Sequence, residues 1–402
     1  MLSVLRAGRP DLVPVVSDNS TEAGQRERLE AFCARRGVTY VRPPEPLPMA
    51  PHWEWLRLQI RDRIAPTHVS YLTDRMVFTA AGLPEVASIA AREPAHVLSY
   101  RHDRVNDLEA PVELVQSQWT GRLLELDCRR LIELSSRGAY GDHLPRMLNC
   151  VVPATLLDEL ERRFGAVFEP ASPDYRFAYR CLAVRDTILH LDRACLVHHG
   201  MTRSAGISFV RGRPNEAITG FWRSLESERF GDTPEPRLET VANAIFQEYC
   251  AVRGETGGER FPPLVPGPYL RVNAISASRM EDAEWRSRTL AILRERGWSR
   301  RREARYLLGD AAAYAAYFAR HPGALARSLK RQLWDRPPGT PAASILRRRG
   351  LEPPLRDELR FPDSASAIAH NDEHPRPRTP YAWPAEPLRR AGAIVSSRPP
   401  RP

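Results

Sequence analysis

Lysine is almost absent from the 402-residue chain: Lys330 is the only one, so nearly all positive charge is carried by arginine. There is no Cys-x-x-Cys pair and no Cys/His cluster at zinc-ligand spacing. The six cysteines (Cys33, Cys128, Cys150, Cys181, Cys195 and Cys250) are scattered, which excludes a zinc finger or a disulfide-stapled scaffold and implies reduced, mostly buried thiols. No apolar run reaches the length of about 18 residues that a membrane-spanning helix needs, and the first residues lack the apolar segment of a secretory leader. A cytoplasmic location is therefore expected. Internal repeats are absent, which excludes a solenoid.

The formal net charge of +10 is unevenly placed: Arg320 to Pro402 holds 16 arginines and lysines against 8 acidic residues, so the preceding body is close to neutral. A nucleic-acid-binding domain needs its basic face on the folded body, so no specific nucleic acid is expected as a partner. The Arg347-Arg348-Arg349 run reads as a solvated surface, or as a weak contact of a basic tail with an anionic membrane at the inner face of the cell membrane.

What is present is a globular composition, 42% hydrophobic, arranged as short apolar runs alternating with amphipathic helices. That alternation predicts an α/β fold around a parallel sheet. Leu12 to Ser17 reads as a buried strand, followed by Asp18-Asn19-Ser20-Thr21 as a turn and helix cap. A helix to about Arg36 ends at Gly37, and Thr39 to Val41 is the second strand. A proline-rich loop (Pro43 to Pro51) leads into a helix with Trp53, Leu56, Ile60 and Ile64 on one face. His68 to Leu72 is the third strand, and Thr73-Asp74-Arg75 stands at its end. Helices are expected near 154 to 164 and 174 to 184, and helical segments between Asn273 and Gly297 and between Ser299 and Gln332.

Ligands of open α/β sheets bind beyond the carboxyl ends of the strands, which singles out three carboxylates. Asp18 could accept hydrogen bonds from a base or ribose, or merely cap the next helix. Asp74 could hold a divalent cation or a ribose, or merely end a strand. Asp174, in Ser172-Pro173-Asp174-Tyr175, could act as a general base or as an N-cap. His198-His199, after an apolar strand, reads equally as a diphosphate or metal contact and as a core or surface pair. Trp53 and Trp55 could stack on a sugar or base, with one of them in the core.

The succession VSDNST, YVRPPEPLPMAPHWEW, HVSYLTDRM, GAVFEPASPDYRFAYRCL and LVHHGMTRSAG resembles glycosyltransferase family 2 over about residues 1 to 212. The resemblance implies a Rossmann-like GT-A nucleotide-diphospho-sugar transferase sandwich with a C-terminal helical extension: residues 1-235 as the catalytic domain, 236-335 as the extension and 336-402 as a Pro/Arg-rich disordered tail. It implies inverting transfer from a nucleotide-sugar donor to a glycan, lipid-linked or small-molecule acceptor, in cell-surface glycan or glycoconjugate synthesis. By the same resemblance Asp18, Arg42, Asp74 and Arg75 contact the nucleotide sugar, Asp74 holds a divalent cation (Mg or Mn), Asp174 is the base, and Gly200 to Ser204 forms the closing segment. Met1 to Leu5 resembles the end of the family's first helix, so that family's first strand has no counterpart here. A catalytically inactive remnant that serves as a binding protein is the alternative.

Overall fold

The computed structural model describes residues 2–203 (apart from 23, 109, 118, 170 and 171), 231–306 (apart from 235–237), 308, 319, 359–375 and 386–400. The fold is a mixed α/β arrangement of a central sheet with helices against it. After a short helix α1 (Leu2–Arg6), strand β1 (Val15–Ser17) leads through helix α2 (Gln25–Arg36) to β2 (Thr39–Val41), and the two strands pair in parallel. Gly37 ends α2 in the left-handed region, its N–H returning to Ala34 and Cys33, as the sequence predicts. At the other end Gly24, not the Asp18 to Thr21 turn, occupies the cap position.

Helix α3 (Met49–Ile64) follows the proline loop and buries Trp53 edge-on against Phe168, with centroids 5.5 Å apart. Strand β3 (His68–Val69) is shorter than the apolar run HVSYL suggests, and β4 (Met76–Phe78) returns antiparallel against a later strand. Helix α4 (Gly82–Arg92) then precedes β5 (Leu98–Asn106), β6 (Val112–Val115) and β7 (Leu123–Asp127). Helix α5 (Cys128–Ser135) is capped by the Asp127 carboxylate, which accepts from the Arg130 N–H at 3.0 Å. Strand β8 (Cys150–Pro153), helix α6 (Ala154–Phe164), helix α7 (Pro173–Val184) and β9 (Thr187–His198) complete this part.

Among the described residues the larger sheet has nine strands, and its main path includes β6-β5-β9-β7. The expectation of a parallel sheet holds for β5 beside β9 and for β1 beside β2; the remaining pairings are antiparallel, and between β5 and β6 the short loop 107–111 turns the chain straight back. Between β5 and β9 the register slips twice around Arg101, so β9 carries extra residues there. Such bulges re-aim side chains, and Asp192, in the slipped stretch, is buried against Arg101 at 2.6 Å.

The main core lies under α5, α6 and α7, where Leu131, Ile132, Leu156, Leu160, Phe177 and Leu182 are wholly buried. Each such side chain contributes about 1.5–3 kcal/mol through its removal from water. Helix Val241–Glu255 packs on α7 and adds Ile245, Tyr249 and Val252 to that core. The helical stretch expected from Asn273 to Gly297 is two helices, Pro266–Ser278 and Ala283–Glu295. Asp282 starts the second by accepting from the Trp285 N–H at 2.8 Å. Most of the stretch from Ser299 to Gln332, and Arg347 to Arg349, lie outside the described residues.

Residues from 336 onward are expected from sequence to stay without order, and two segments overturn this. Strand β10 (Arg360–Phe361) pairs with β6, helix Ser364–Glu373 packs beside it, and β11 (Ile394–Arg398) pairs with β7. The few apolar residues there are placed to matter: Phe361, Ala367 and Ile368 fill a small cluster with Val105 and Leu114, while Leu388 and Ala393 join the main core.

Candidate functional site

Two groups of polar side chains form at strand ends. In the first, β1 and β2 present Asp18 and Arg42 side by side, since parallel strands bring equivalent ends together. The Asp18 carboxylate is buried, yet it accepts from the Ser20 N–H at 2.8 Å, the Tyr40 hydroxyl at 2.7 Å and Arg42 Nη1 at 2.6 Å. Burial pushes its pKa up; the bonds from Ser20, Tyr40 and Arg42 outweigh that and hold it down at about 2. Arg42 also donates to the Ser20 carbonyl at 2.7 Å. The neighbouring Asn19 ties down the proline loop by bonding both the N–H and the carbonyl of Leu47, at 2.9 and 2.7 Å. Ser17 Oγ and His52 Nε2 lie 2.7 Å apart, and His52 stacks on Trp55. Trp53 belongs to the core, and Trp55 is partly exposed.

The second group surrounds the C-terminal ends of β5 and β9. Arg75 follows β3 and enters β4. Its carbonyl accepts from the His199 N–H at 2.9 Å, and its side-chain stem lies against Gly200, where an added methyl would approach Cγ to 2.8 Å. Gly200 has φ +69°, and its N–H and that of Met201 both donate to the Asp107 carboxylate, at 2.6 and 2.7 Å. Asp107 further accepts from Ser364 at 3.0 Å, so a residue of the C-terminal part fixes the Gly200 loop. Of the closing segment, Gly200 to Arg203 are described and Ser204 is not. Arg75 Nε is 4.0 Å from Asp74, whose carboxylate is 74% exposed, while Arg75 Nη1 is buried with no hydrogen-bond partner among the described residues.

His198, the last residue of β9, meets His102 of β5 edge to face at 5.8 Å. Burial first, and then the neighbouring His102, Arg75, Arg146 and His199, hold His198 down at about 3, so it is a neutral imidazole with two guanidinium groups acting on it. His102 Nδ1 is 3.4 Å from Asp142, and Arg146 Nη2 donates to the same carboxylate at 3.1 Å. Arg146 also reaches the Tyr175 hydroxyl at 3.4 Å, and its charge acts on Asp174. The N-cap position of α7 belongs to Ser172, so Asp174 lies in the first turn and does not cap the helix. Burial raises the Asp174 carboxyl above the usual carboxylate range; Arg146 and the N–H groups of Tyr175 and Asp174 pull in the other direction without cancelling it.

The structure thus joins Arg146 through Asp142 and His102 to His198, with the charge of Arg146 acting on Asp174 and that of Arg75 on His198, and it places Asp18 with Arg42 in another group. His102, Asp107, Asp142, Arg146 and Tyr175 are missed by the sequence reading. Their one sequence signal is the density of titratable residues in RHDRVND and in Tyr140-Gly141-Asp142-His143-Leu144-Pro145-Arg146, inside stretches of no clear periodicity.

A divalent cation fits this donor set poorly. Asp74 is an exposed carboxylate beside a guanidinium, and among the described residues no three His, Cys, Asp or Glu side chains are grouped to hold a metal. Also among the described residues, no helix is long and apolar enough to cross a membrane.

No protein-family model matches the chain, and no curated protein does. Among solved structures, S. aureus TarS 1-349 in complex with UDP-GlcNAc is similar at 12% identity and a TM-score of 0.40, over 72% of this chain and 86% of that one. S. aureus TarS is similar at 13% identity and a TM-score of 0.40, over 72% of this chain and 52% of that one. TarS 1-349 in complex with UDP is similar at 13% and 0.39, over 73% and 85%. Scores of this size establish no shared fold, and the chemistry of the site rests on its own residues.

Proposed function

We propose that the protein is an inverting glycosyltransferase that moves a sugar from a nucleoside-diphosphate donor to an acceptor hydroxyl. The observation that carries this reading is the chain of contacts Arg146–Asp142–His102–His198 between Asp174, a carboxylate that burial keeps more basic than usual, and Arg75, a guanidinium whose buried Nη1 has no partner among the described residues. Proton removal from a neutral hydroxyl and charge compensation for an anionic leaving group call for that pair of groups. The ordered resemblance of the strand-end segments to glycosyltransferase family 2 supports the same reading.

In this mechanism the acceptor oxygen attacks the anomeric carbon as its proton passes to Asp174. A new C–O bond forms, the bond from that carbon to the diphosphate oxygen breaks, and its electron pair leaves with the diphosphate. The charge of Arg146 keeps Asp174 ionisable. Asp18 and Arg42 receive the nucleoside, and Asp74 and Arg75 stand beside the diphosphate. Synthesis of cell-surface glycans is the setting we infer, on the cytoplasmic side of the membrane.

Thermal unfolding with UDP, GDP and dTDP tests the reading. A ligand at a hundred times its dissociation constant adds about 2.7 kcal/mol, a readily measured shift of midpoint. A midpoint raised by one nucleotide, and sugar transfer from that nucleotide's donors that Asp174→Asn abolishes, are the expected results. A cooperative transition that no nucleotide moves overturns it in favour of a fold that has lost transfer.

A further inference from the structure

Resting on the transferase reading, we infer that the donor diphosphate is neutralised by Arg75 itself, so that this enzyme binds and turns over its donor without a divalent cation. Arg75 is built in at both ends. Its carbonyl is bonded to His199, its stem is pressed against Gly200, and the Gly200 loop is pinned by Asp107. Little rotamer freedom remains to be lost when an anion arrives, which favours binding. Among the described residues the buried Nη1 has no partner, and a buried donor left unsatisfied is costly until something accepts from it.

The surroundings select an anion. His198, whose Nε2 is also buried and without a partner among the described residues, is kept neutral first by burial and then by neighbours that include the guanidinium groups of Arg75 and Arg146. The compensating carboxylates are engaged elsewhere: Asp107 with the Gly200 and Met201 N–H groups, Asp142 with His102 and Arg146. Asp74 remains, with a guanidinium beside it where a dication would have to sit. A guanidinium also presents parallel N–H donors to two phosphate oxygens, which a point charge does not. As the anomeric C–O bond breaks, the pair of electrons taken by the leaving phosphate oxygen falls within this field, and no further proton or co-reactant is required.

Calorimetric titration of the full chain with UDP, GDP and dTDP, each in excess EDTA and in Mn²⁺, tests the inference. The expected result is that whichever nucleotide binds does so with affinities that agree within about twofold between the two media. Arg75→Met, which keeps the stem on Gly200, then weakens it about 10- to 100-fold, the loss set by a charge-assisted hydrogen bond. Unfolding midpoints confirm that the variant is folded, and Arg75→Lys recovers only part of the affinity. Binding that vanishes in EDTA and returns with Mn²⁺ overturns the inference and leaves the transferase standing. Undiminished binding by folded Arg75→Met overturns it equally. Absence of binding in both media removes the transferase reading, and the inference with it.

Discussion

The guanidinium of Arg146 lies over the ring of Tyr175, 5.6 Å from its centroid, and reaches the hydroxyl of the same residue. That contact fixes a positive charge beside Asp174, the residue before Tyr175, at the start of a helix whose other face is core. The carboxylate is held by its neighbours rather than by capping duty, so its protonation is open to tuning.

Replacing Asp174 by Asn should lower the turnover number about 10²- to 10⁴-fold, the usual contribution of general-base catalysis, with nucleotide affinity and the unfolding midpoint unchanged. Single-turnover kinetics with a binding titration separates the two effects. Equal loss of affinity and turnover would mean that the residue holds the site together instead of taking the proton.

Because the base works only when ionised and burial raises its pKa, kcat/KM should rise with pH through a limb above the normal carboxylate range. Arg146 pulls this pKa down, so Arg146→Gln should move the limb to higher pH. A pH profile of both proteins checks the sign, and a limb that stays in place or moves downward removes Arg146 from the mechanism.

The Asp18 cluster has the opposite sign. Its folded pKa of about 2 lies below the ordinary 3.8, so its stabilisation is present above about pH 4 and is lost as pH falls toward 2. Asp18→Ala strands the partners Tyr40 and Arg42, costs about 1–3 kcal/mol near neutral pH and flattens this acid dependence. Chemical denaturation at pH 7 and pH 3 measures both.

The fold could be read from sequence where periodicity and caps agree. The helix 154–164 and the strand 39–41 lie where the pattern puts them, and Gly37 ends its helix as a left-handed cap. Asp18, Asp74 and Asp174 stand out in the sequence at strand ends or before a helix, whereas Arg42 and Arg75 are picked out only by the resemblance to glycosyltransferase family 2. His102 and Arg146 do not stand out, because one sits inside a strand beside a register slip and the other in an irregular loop. Neither position has a period that marks it. The ordered segments near the C-terminus are hidden for a different reason: strand edges supply main-chain hydrogen bonds that composition does not reveal.

Gly200→Ala should cost about 1–3 kcal/mol, since φ +69° strains an L side chain and the new methyl meets Arg75 Cγ. Displacement of Arg75 should weaken nucleotide binding alongside. An unfolding curve and a titration on the same variant check both, and a variant as stable and as tight-binding as the parent would mean that the Gly200 loop does not hold Arg75.

Glu248, wholly buried in the Val241–Glu255 helix, accepts from the Ser172 N–H at 2.9 Å and lies 2.8 Å from Arg176. Burial pushes its carboxyl up to about 8 despite Arg176, so the carboxylate form weighs on the fold as pH rises from the ordinary 4.5 toward 8. Glu248→Gln, which keeps an acceptor for Ser172, should therefore lose less stability at pH 9 than at pH 6. Glu248→Ala should be destabilised at both, with slower turnover because the start of α7 carries Asp174. Melting curves at the two pH values decide it.

Strands β10 and β11 sit on opposite borders of the large sheet, covering β6 on one side and β7 on the other. The side chains of Gln116 and Asn371, which meet near one of these seams at 2.8 Å, are 255 residues apart in the chain. A ribosome therefore releases both rims of the sheet long before the segments that seal them, and pairing across such a distance is slow. Until the seals arrive, β6 and β7 present open main-chain edges to any neighbouring nascent chain. Yield of intact protein should thus hinge on temperature and synthesis rate more than on the stability of the finished molecule.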